Sequence, residues 1–236
     1  MVLNIAYYTC FFGADSNDRN CIPEAPMQHS SYYFTNNIAT YNKLEGTKWN
    51  RVFVDIPIKN NLTLDAMDAK LLKACPYLFK ELCSNYDATC YFDSALQVDA
   101  TQVQELCDRV FTLSNYSVIM ARHPFLSPTW LPSAHNEYNN AMLQPRYAAQ
   151  KDQIEAYMHE QVESGLLDTD CIHYATGFIV RKCNMVARQI GEVWYSHINK
   201  CGIECQISFF FVQQMFKGCI YDVEFNNNLF KRIGPC

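Results

Sequence analysis

Residues 88–101 read ATCYFDSALQVDAT, and this stretch decides how the rest of the chain is interpreted. Residues 89–92 are β-branched, apolar or aromatic, which is typical of a short buried strand, and the strand stops at Asp93. A lone carboxylate at the end of a buried strand is costly unless a partner or a cation neutralises it. Because ligands bind at the carboxyl ends of strands in open α/β sheets, Asp93 is a candidate ligand-binding residue. The alternative is a solvated turn aspartate that caps the next segment.

Strands and helices alternate around this stretch, which predicts an α/β fold with a twisted, mostly parallel central sheet flanked by helices. Further strands are predicted at residues 2–12, 31–35, 51–56, 117–120 and 172–181. Gly177 predicts that the last of these is a strand pair or a bulged strand. Helices are predicted at residues 65–82, 101–108, 137–164, 184–199 and 205–215. Pro76 is expected to kink or break the first of them, whereas Pro145 lies near the middle of the long helical stretch at 137–164. The tail at 219–236 is expected to cover a sheet edge.

The length predicts one large domain, or one domain with a small appendage. The chain has 236 residues and a mass of 27.3 kDa, and its 49% apolar content excludes global disorder. A net charge of −5 argues against a nucleic-acid or anionic-membrane partner. No run of about 18 apolar residues is present, so no membrane span is predicted.

Cysteine spacing and loop motifs exclude several classes of site. The 12 cysteines include no CxxC pair and match no zinc framework. The phosphate-binding loops GxGxxG and GxxxxGK[ST] are both absent, which argues against a Rossmann dinucleotide site and a P-loop ATPase. Because Met1 leads into an apolar stretch without a basic leader, no signal peptide is predicted, and a reduced, cytoplasmic location is expected.

Eight short motifs occur in a fixed order along the chain. They are YYTCFFGADSN, SYYFTNN, AKLLKACPYL, YFDSALQVD, ARHP, HNEY, ATGFIVRK and GEVWYSHINKCGIECQISFF. In this order and spacing the chain resembles a GT-A type glycosyltransferase family formerly classed as a domain of unknown function, and the chlorovirus-encoded glycosyltransferase domain that decorates a capsid protein. The resemblance covers about residues 3–216.

The resemblance implies a single GT-A domain with a nucleotide-sugar-binding half at about 1–100, an acceptor half at about 101–218 and a tail at 219–236. It also implies a nucleotide-diphosphate sugar donor, with uridine as the expected base, Mn²⁺ or Mg²⁺ as cofactor, and a glycan or glycoprotein acceptor. The sequence departs from the family in two places. Ala95 replaces a lysine of the metal loop, and Glu204 and Cys205 replace a basic residue and an aspartate before Gln206.

On this resemblance Asp93 is the expected metal ligand, and Ser94 would ligate the ion or bind it through a water. The ion would bridge both donor phosphates and neutralise the charge that grows on the leaving diphosphate. The residues expected to bind the donor and its cofactor are Thr9, Phe11, Phe12, Asp15, Lys70, Lys73, Asp93, Ser94, Ala95, Arg122, His123 and Gly177.

Each of these assignments has an alternative. Residues 9–15 would hold the uridine with an aromatic ring stacked on the base, but Phe11 and Phe12 are also explained as core. Lys70 and Lys73 would reach the diphosphate or ribose from one helical face, or would form a solvated surface. The 122–123 pair would bind phosphate or sugar hydroxyls, or play a structural role. Gly177 would let the sugar approach the backbone, or would mark a bulge.

The catalytic candidates are Gln206, Glu192 and Glu137. Gln206 is expected near the anomeric carbon, which favours retention of configuration. An inverting enzyme would instead need a general base, which Glu192 or Glu204 would supply. Glu137 would accept hydrogen bonds from sugar hydroxyls, or would be a helix-start carboxylate favoured by the dipole.

The late half offers further candidates: Trp194 as an apolar sugar platform or a core residue, and His173 and His197 as alternative metal ligands. Two other functions stay open. One is a carbohydrate- or nucleotide-binding module without turnover. The other is a sugar-nucleotide-forming nucleotidyltransferase, although its glycine-rich first loop is represented here by Gly13 alone.

Overall fold

The computed structural model describes residues 2–14, 21–83, 85–126, 133–225 and 228–234. The strands in these residues are β1 (Ile5–Phe11), β2 (Ser31–Thr35), β3 (Asn50–Phe53), β4 (Ala88–Phe92), β5 (Leu96–Val98), β6 (Val118–Arg122), β7 (Tyr174–Lys182), β8 (Ile220–Val223) and β9 (Phe230–Arg232). Seven of them form the central sheet in the order β3-β2-β1-β4-β7-β6-β8, and β5 pairs with β9 in a small second sheet.

The central sheet is mostly parallel, as predicted. Its parallel pairs are β1 with β2, β1 with β4, β2 with β3, and β6 with β8. Strand β7 runs antiparallel to both of its neighbours, β4 and β6. The carboxyl ends of β1 and β4 therefore lie side by side, with the first half of β7 beside the end of β4.

Helices cover both faces of the sheet. They are α1 (Ile38–Lys43), α2 (Leu62–Ala74), α3 (Lys80–Cys83), α4 (Ala100–Leu113), α5 (Ala134–Ala141), α6 (Pro145–Ala148), α7 (Lys151–Glu163), α8 (Met185–Cys201) and α9 (Cys205–Met215). None of the described helices is long and apolar enough to cross a bilayer.

The core lies on both sides of the sheet because alternate side chains of each strand point to opposite faces. In β1, Tyr7 and Phe11 pack in the core that α4 covers, whereas Tyr8 packs in the core that α2 and α8 cover. A strand buried on both faces reads as a nearly continuous apolar run, as the sequence of β1 does. A third, smaller core joins α5, α7 and α9.

The bounds of two predicted helices need correction. The helix predicted at 101–108 extends to Leu113, because Val110 and Phe111 continue its buried stripe. The stretch predicted as one helix at 137–164 is three helices, because Pro145 has no N–H to continue a helix and instead starts α6. Pro76 likewise starts a 3₁₀ turn after α2 ends, as predicted. The tail pairs with sheet edges through β8 and β9.

Candidate active site

Asp93 follows β4 directly and lies against β7. Its backbone N–H donates to the carbonyl of Gly177 over 2.8 Å, and its own carbonyl accepts from the Leu96 N–H over 2.8 Å, which closes a turn. The side chain caps no helix, since Asp99 caps α4. The carboxylate is therefore held at the carboxyl end of the sheet, as the ligand-binding interpretation expects.

Two side chains bind the Asp93 carboxylate. The Tyr91 hydroxyl donates to Oδ1 over 2.6 Å, and the Lys73 ammonium lies 3.3 Å from the same oxygen. The Lys73 side chain is only 5% exposed, whereas that of Asp93 is 47% exposed. The strand-end carboxylate is thus neutralised by a buried lysine of α2, and its outer part faces solvent.

The charges of this pair stabilise each other. Burial acts to raise the pKa of Asp93, but Lys73, the Tyr91 hydroxyl and Lys70 outweigh it and hold that pKa below its usual value. Burial acts to lower the pKa of Lys73, but Asp93 and the groups of residues 204–205 raise it above its usual value. Both groups are therefore charged at neutral pH.

Gly177 is required where β7 passes the carboxylate. A Cβ added at this position would lie 2.8 Å from Oδ2 of Asp93, so any side chain would displace the carboxylate. The pairing of β6 with β7 also shifts register between Met120 and Ala121, which leaves residues 176–178 unpaired with β6. The bulge predicted around Gly177 is therefore present, and what approaches the glycine in this structure is the Asp93 carboxylate.

Lys70 contacts the start of α9. Its ammonium donates to the Cys205 thiol over 3.2 Å, and the Thr176 hydroxyl lies 3.2 Å from the same sulfur. Lys70 is three residues before Lys73 in α2, so both ammoniums extend from one face of that helix toward the carboxyl ends of the strands.

Gln206 and Glu137 form the other half of the cluster. The Gln206 amide donates to Oε1 of Glu137 over 2.6 Å, and the Gln206 backbone N–H donates to Glu204, which caps α9. Burial and the nearby Glu204 carboxylate raise the pKa of Glu137 to about 8, although the Gln206 hydrogen bond acts in the opposite direction. Glu137 therefore keeps its proton at neutral pH.

The described residues around Asp93 do not by themselves form a complete set of ligands for a divalent metal ion. The described residues contain no group of three His, Cys, Asp or Glu side chains that could surround one. Mg²⁺ and Mn²⁺ are coordinated by several oxygens, of which one or two usually come from protein carboxylates and the rest from waters or substrate phosphates. Here one carboxylate faces the site, and one of its two oxygens is already bound by Tyr91 and Lys73.

Most of the other residues predicted to bind the donor lie in the core or in the turn after Asp93. Phe11 and Phe12 are buried in opposite cores. Thr9 is fully buried, and its hydroxyl has no partner among the described residues. Ser94 and Ala95 lie in the turn after Asp93, where the Ala95 carbonyl accepts from the Ile233 N–H. Asp15 lies outside the described residues.

Arg122 ends β6 and His123 follows it, and both make structural contacts. The Arg122 guanidinium pairs with Asp222 at 2.5 Å and with Glu224 at 3.3 Å. His123 accepts from two backbone N–H groups of its own loop. Burial and the nearby His173 lower the pKa of His123 to about 4, so it carries no charge for a phosphate at neutral pH.

Several late candidates also lie in other surroundings. Glu192 accepts from the Tyr77 hydroxyl on the exposed side of α8. Trp194 is fully buried and donates to the carbonyl of Cys205, so it is a core residue. His173 bonds to the carbonyl of Ser133, and His197 to Tyr157. None of these four contacts Asp93 in the described part of the chain, and a role for Glu192 in catalysis stays a prediction.

The sequence interpretation missed two members of the cluster. Tyr91 lies two residues before Asp93. Because side chains alternate along a strand, the two-residue spacing places both on the same side and could have predicted their contact. Cys205 was noted only as a departure from the family, yet it lies between Lys70 and Thr176. No sequence signal indicates that thiol contact, because its partners lie 135 and 29 residues away.

Comparison with known proteins gives similarity at the level of the fold. No family model and no curated protein matches the sequence. Among solved structures, mouse xyloside xylosyltransferase 1 in its apo form is 11% identical with a TM-score of 0.44, covering 92% of this chain and 84% of its own. Galactosyltransferase LgtC, in complex with donor and acceptor sugar analogues, is 13% identical with a TM-score of 0.48, covering 92% and 73%.

A glycosyltransferase involved in glycosylation of the major capsid of PBCV-1 is 9% identical with a TM-score of 0.45, covering 98% of this chain and 92% of its own. All three are glycosyltransferases.

Proposed function

We propose that this chain is a glycosyltransferase that moves a sugar from a nucleotide-diphosphate donor, expected to be a uridine one, to a glycan or glycoprotein acceptor. The observation that supports this most strongly is the grouping of two lysine ammoniums, Asp93 and the Gln206–Glu137 pair where α2 and α9 meet the carboxyl ends of β1 and β4. A cytoplasmic location is part of the proposal.

The reaction exchanges one bond to the anomeric carbon for another. The bond to the diphosphate oxygen breaks, and its electron pair stays on the leaving group, where negative charge grows. The acceptor hydroxyl oxygen forms the new bond, and its proton passes to the departing diphosphate when configuration is retained. Groups placed to stabilise the developing charge lower the barrier most, because they need no reorganisation during the reaction.

The lysines are suited to the leaving group. Lys70 and Lys73 extend from one face of α2, and Lys73 is held in place by Asp93. Ammonium groups donate charge-assisted hydrogen bonds to phosphate oxygens. We assign the diphosphate to this side of the cluster.

The Gln206–Glu137 pair is suited to the sugar. The hydrogen bond to Glu137 fixes the Gln206 amide, and no described residue donates to its carbonyl oxygen. We assign this oxygen to the face of the anomeric carbon, which favours retention. The protonated Glu137 has a buried second oxygen without a partner among the described residues, which suits it to a hydrogen bond with a sugar hydroxyl.

The test is release of uridine diphosphate from a panel of uridine diphosphate sugars, with and without acceptor glycans. Gln206→Ala is expected to lower turnover about 100-fold, the loss found when one preorganised polar group is removed from an active site. Gln214→Ala is the matched control, because Gln214 lies in the same helix and bonds only to backbone groups of residues 167 and 210. Equal turnover of both variants would contradict the proposal.

A further inference from the structure

The cluster holds two ammoniums, one solvent-facing carboxylate at Asp93 and one buried carboxylate at Glu204. Lys73 is paired with Asp93, and Lys70 is paired with a thiol, which is a weak acceptor without a carboxylate's charge. We infer that Lys70 and Lys73 neutralise the diphosphate of the donor in place of a divalent cation, an inference that rests on the proposed function.

Lys73 is built into the fold as a fixed cation. Its side chain is 5% exposed, its ammonium lies 3.3 Å from Asp93, and it lies 5.1 Å from the centre of the Tyr91 ring. Burying an ammonium is costly unless it has partners, so the fold maintains this charge by pairing it. An ammonium has three N–H donors, and among the described residues one acceptor oxygen is provided. The remaining donors have no acceptor oxygen among the described residues, and a phosphate oxygen would reach them at the small exposed part of the side chain.

Lys70 adds a second ammonium on the same face of α2. The Cys205 thiol accepts a hydrogen bond from Lys70 and so positions its ammonium. The charge of Lys70, like that of Lys73, lowers the pKa of Asp93. A diphosphate placed against this face would therefore meet two cations that are present before it binds. Because these ammoniums are already in place, they can neutralise the diphosphate without a metal ion and its waters first being ordered.

A divalent ion would conflict with this arrangement. To bind Asp93 it would have to share the carboxylate with the Lys73 ammonium, and two like charges on one carboxylate repel each other. The turn after Asp93 provides Ser94 and Ala95 but no second carboxylate. On the other side of the turn, β9 places the exposed Arg232 opposite Leu96, which adds positive charge beside the same turn.

The direct experiment uses inorganic pyrophosphate, which tests the diphosphate site whatever the nucleobase. The whole chain is titrated with pyrophosphate in excess EDTA and again with added Mn²⁺ or Mg²⁺, and the melting temperature and the affinity are measured. We expect pyrophosphate to raise the melting temperature and to bind in EDTA at least as strongly as it does with added Mn²⁺ or Mg²⁺.

Variants connect that binding to the lysines. Lys70→Gln and Lys73→Gln are each expected to weaken pyrophosphate binding in EDTA about 10-fold or more, the effect of one lost charge-assisted hydrogen bond. Lys59→Gln, whose ammonium pairs with Asp68 at 2.7 Å, is the control and should bind as the wild type does. Because Lys73→Gln removes a buried partner and risks unfolding, the half-buried Lys70→Gln provides the second, independent variant.

The outcomes separate this inference from the proposed function. Binding that requires metal and disappears in EDTA would overturn the inference and leave the glycosyltransferase proposal intact. Absence of pyrophosphate binding in both conditions would overturn both. Metal-free binding that Lys70→Gln and Lys73→Gln leave unchanged would also overturn the inference.

Discussion

Oε1 of Glu137 accepts a 2.6 Å hydrogen bond from the side-chain amide of Gln206, while its other carboxyl oxygen is buried without a partner among the described residues. Glu137 comes from the start of α5 and Gln206 from the start of α9. The contact therefore ties two helices together and fixes the amide at the same time. The strength of this hydrogen bond depends on whether Glu137 is protonated, so the contribution of the contact to stability depends on pH.

We expect the free energy of unfolding to fall between about pH 5 and pH 8 because of Glu137. Its pKa in the folded state is raised to about 8, so its favourable contribution is complete below the unfolded-state pKa and is lost as the pH rises through about 8. The slope is about 1.4 kcal/mol per pH unit while the group is protonated when folded and ionised when unfolded. Urea unfolding of the wild type and Glu137→Gln at about pH 6 and pH 9 measures it. An identical pH dependence for both proteins would refute the assignment.

Gly177→Ala is expected to weaken pyrophosphate binding about 10-fold or more and to destabilise the fold by about 1–3 kcal/mol. The reason is that the new Cβ would lie 2.8 Å from Oδ2 of Asp93, so the carboxylate must move away from Lys73. Thermal unfolding and pyrophosphate titration check both effects. Wild-type affinity in a folded Gly177→Ala protein would show that the position of Asp93 does not matter for anion binding.

Asp93→Asn is expected to destabilise the protein by about 1–2 kcal/mol, below the 3–5 kcal/mol typical of breaking a fully buried pair, because Asp93 is half-exposed. The pKa of Asp93 is lowered in the folded state, so its contribution is present above about pH 4 and is lost as the pH falls further. A double-mutant cycle with Lys73→Gln measures the coupling. If the two changes lower the free energy of unfolding additively, the 3.3 Å contact between Lys73 and Asp93 contributes nothing to stability.

Arg181→Met is expected to leave stability unchanged or to raise it. Arg181 is 4% exposed, donates to the Tyr8 hydroxyl over 3.4 Å and lies over the Trp194 ring, but pairs with no carboxylate among the described residues. Replacing a buried charge by a well-packed apolar side chain is often neutral or stabilising. Urea unfolding tests this without reference to function, and a loss above about 3 kcal/mol would show that the guanidinium has an essential partner.

Local sequence signals predicted the parts of the molecule that depend on short-range physics. The apolar stretch before Asp93 and the polar turn after it predicted β4 and its end, because strand period and turn chemistry involve neighbouring residues. Pro76 predicted the break after α2 for the same reason, whereas the break at Pro145 was missed. The helical period also placed Lys70 and Lys73 on one face, where the structure has both.

Contacts between distant segments could not be predicted in the same way. Arg122 pairs with Asp222 and Glu224, about 100 residues later, and its position at the end of a strand gave no indication of these contacts. Which face of α8 packs into the core could not be predicted either. Helical period shows which residues share a face, but only the packed structure shows that Trp194 lies in the core while Glu192 stays at the surface.

A crystal structure of the chain with uridine diphosphate tests the central claim most directly. We expect both phosphates within hydrogen-bond distance of the ammoniums of Lys70 and Lys73, beside the turn that follows Asp93, with Gln206 on the side where the sugar would extend. Nucleotide bound elsewhere, with both lysines still facing only Asp93 and Cys205, would contradict the account.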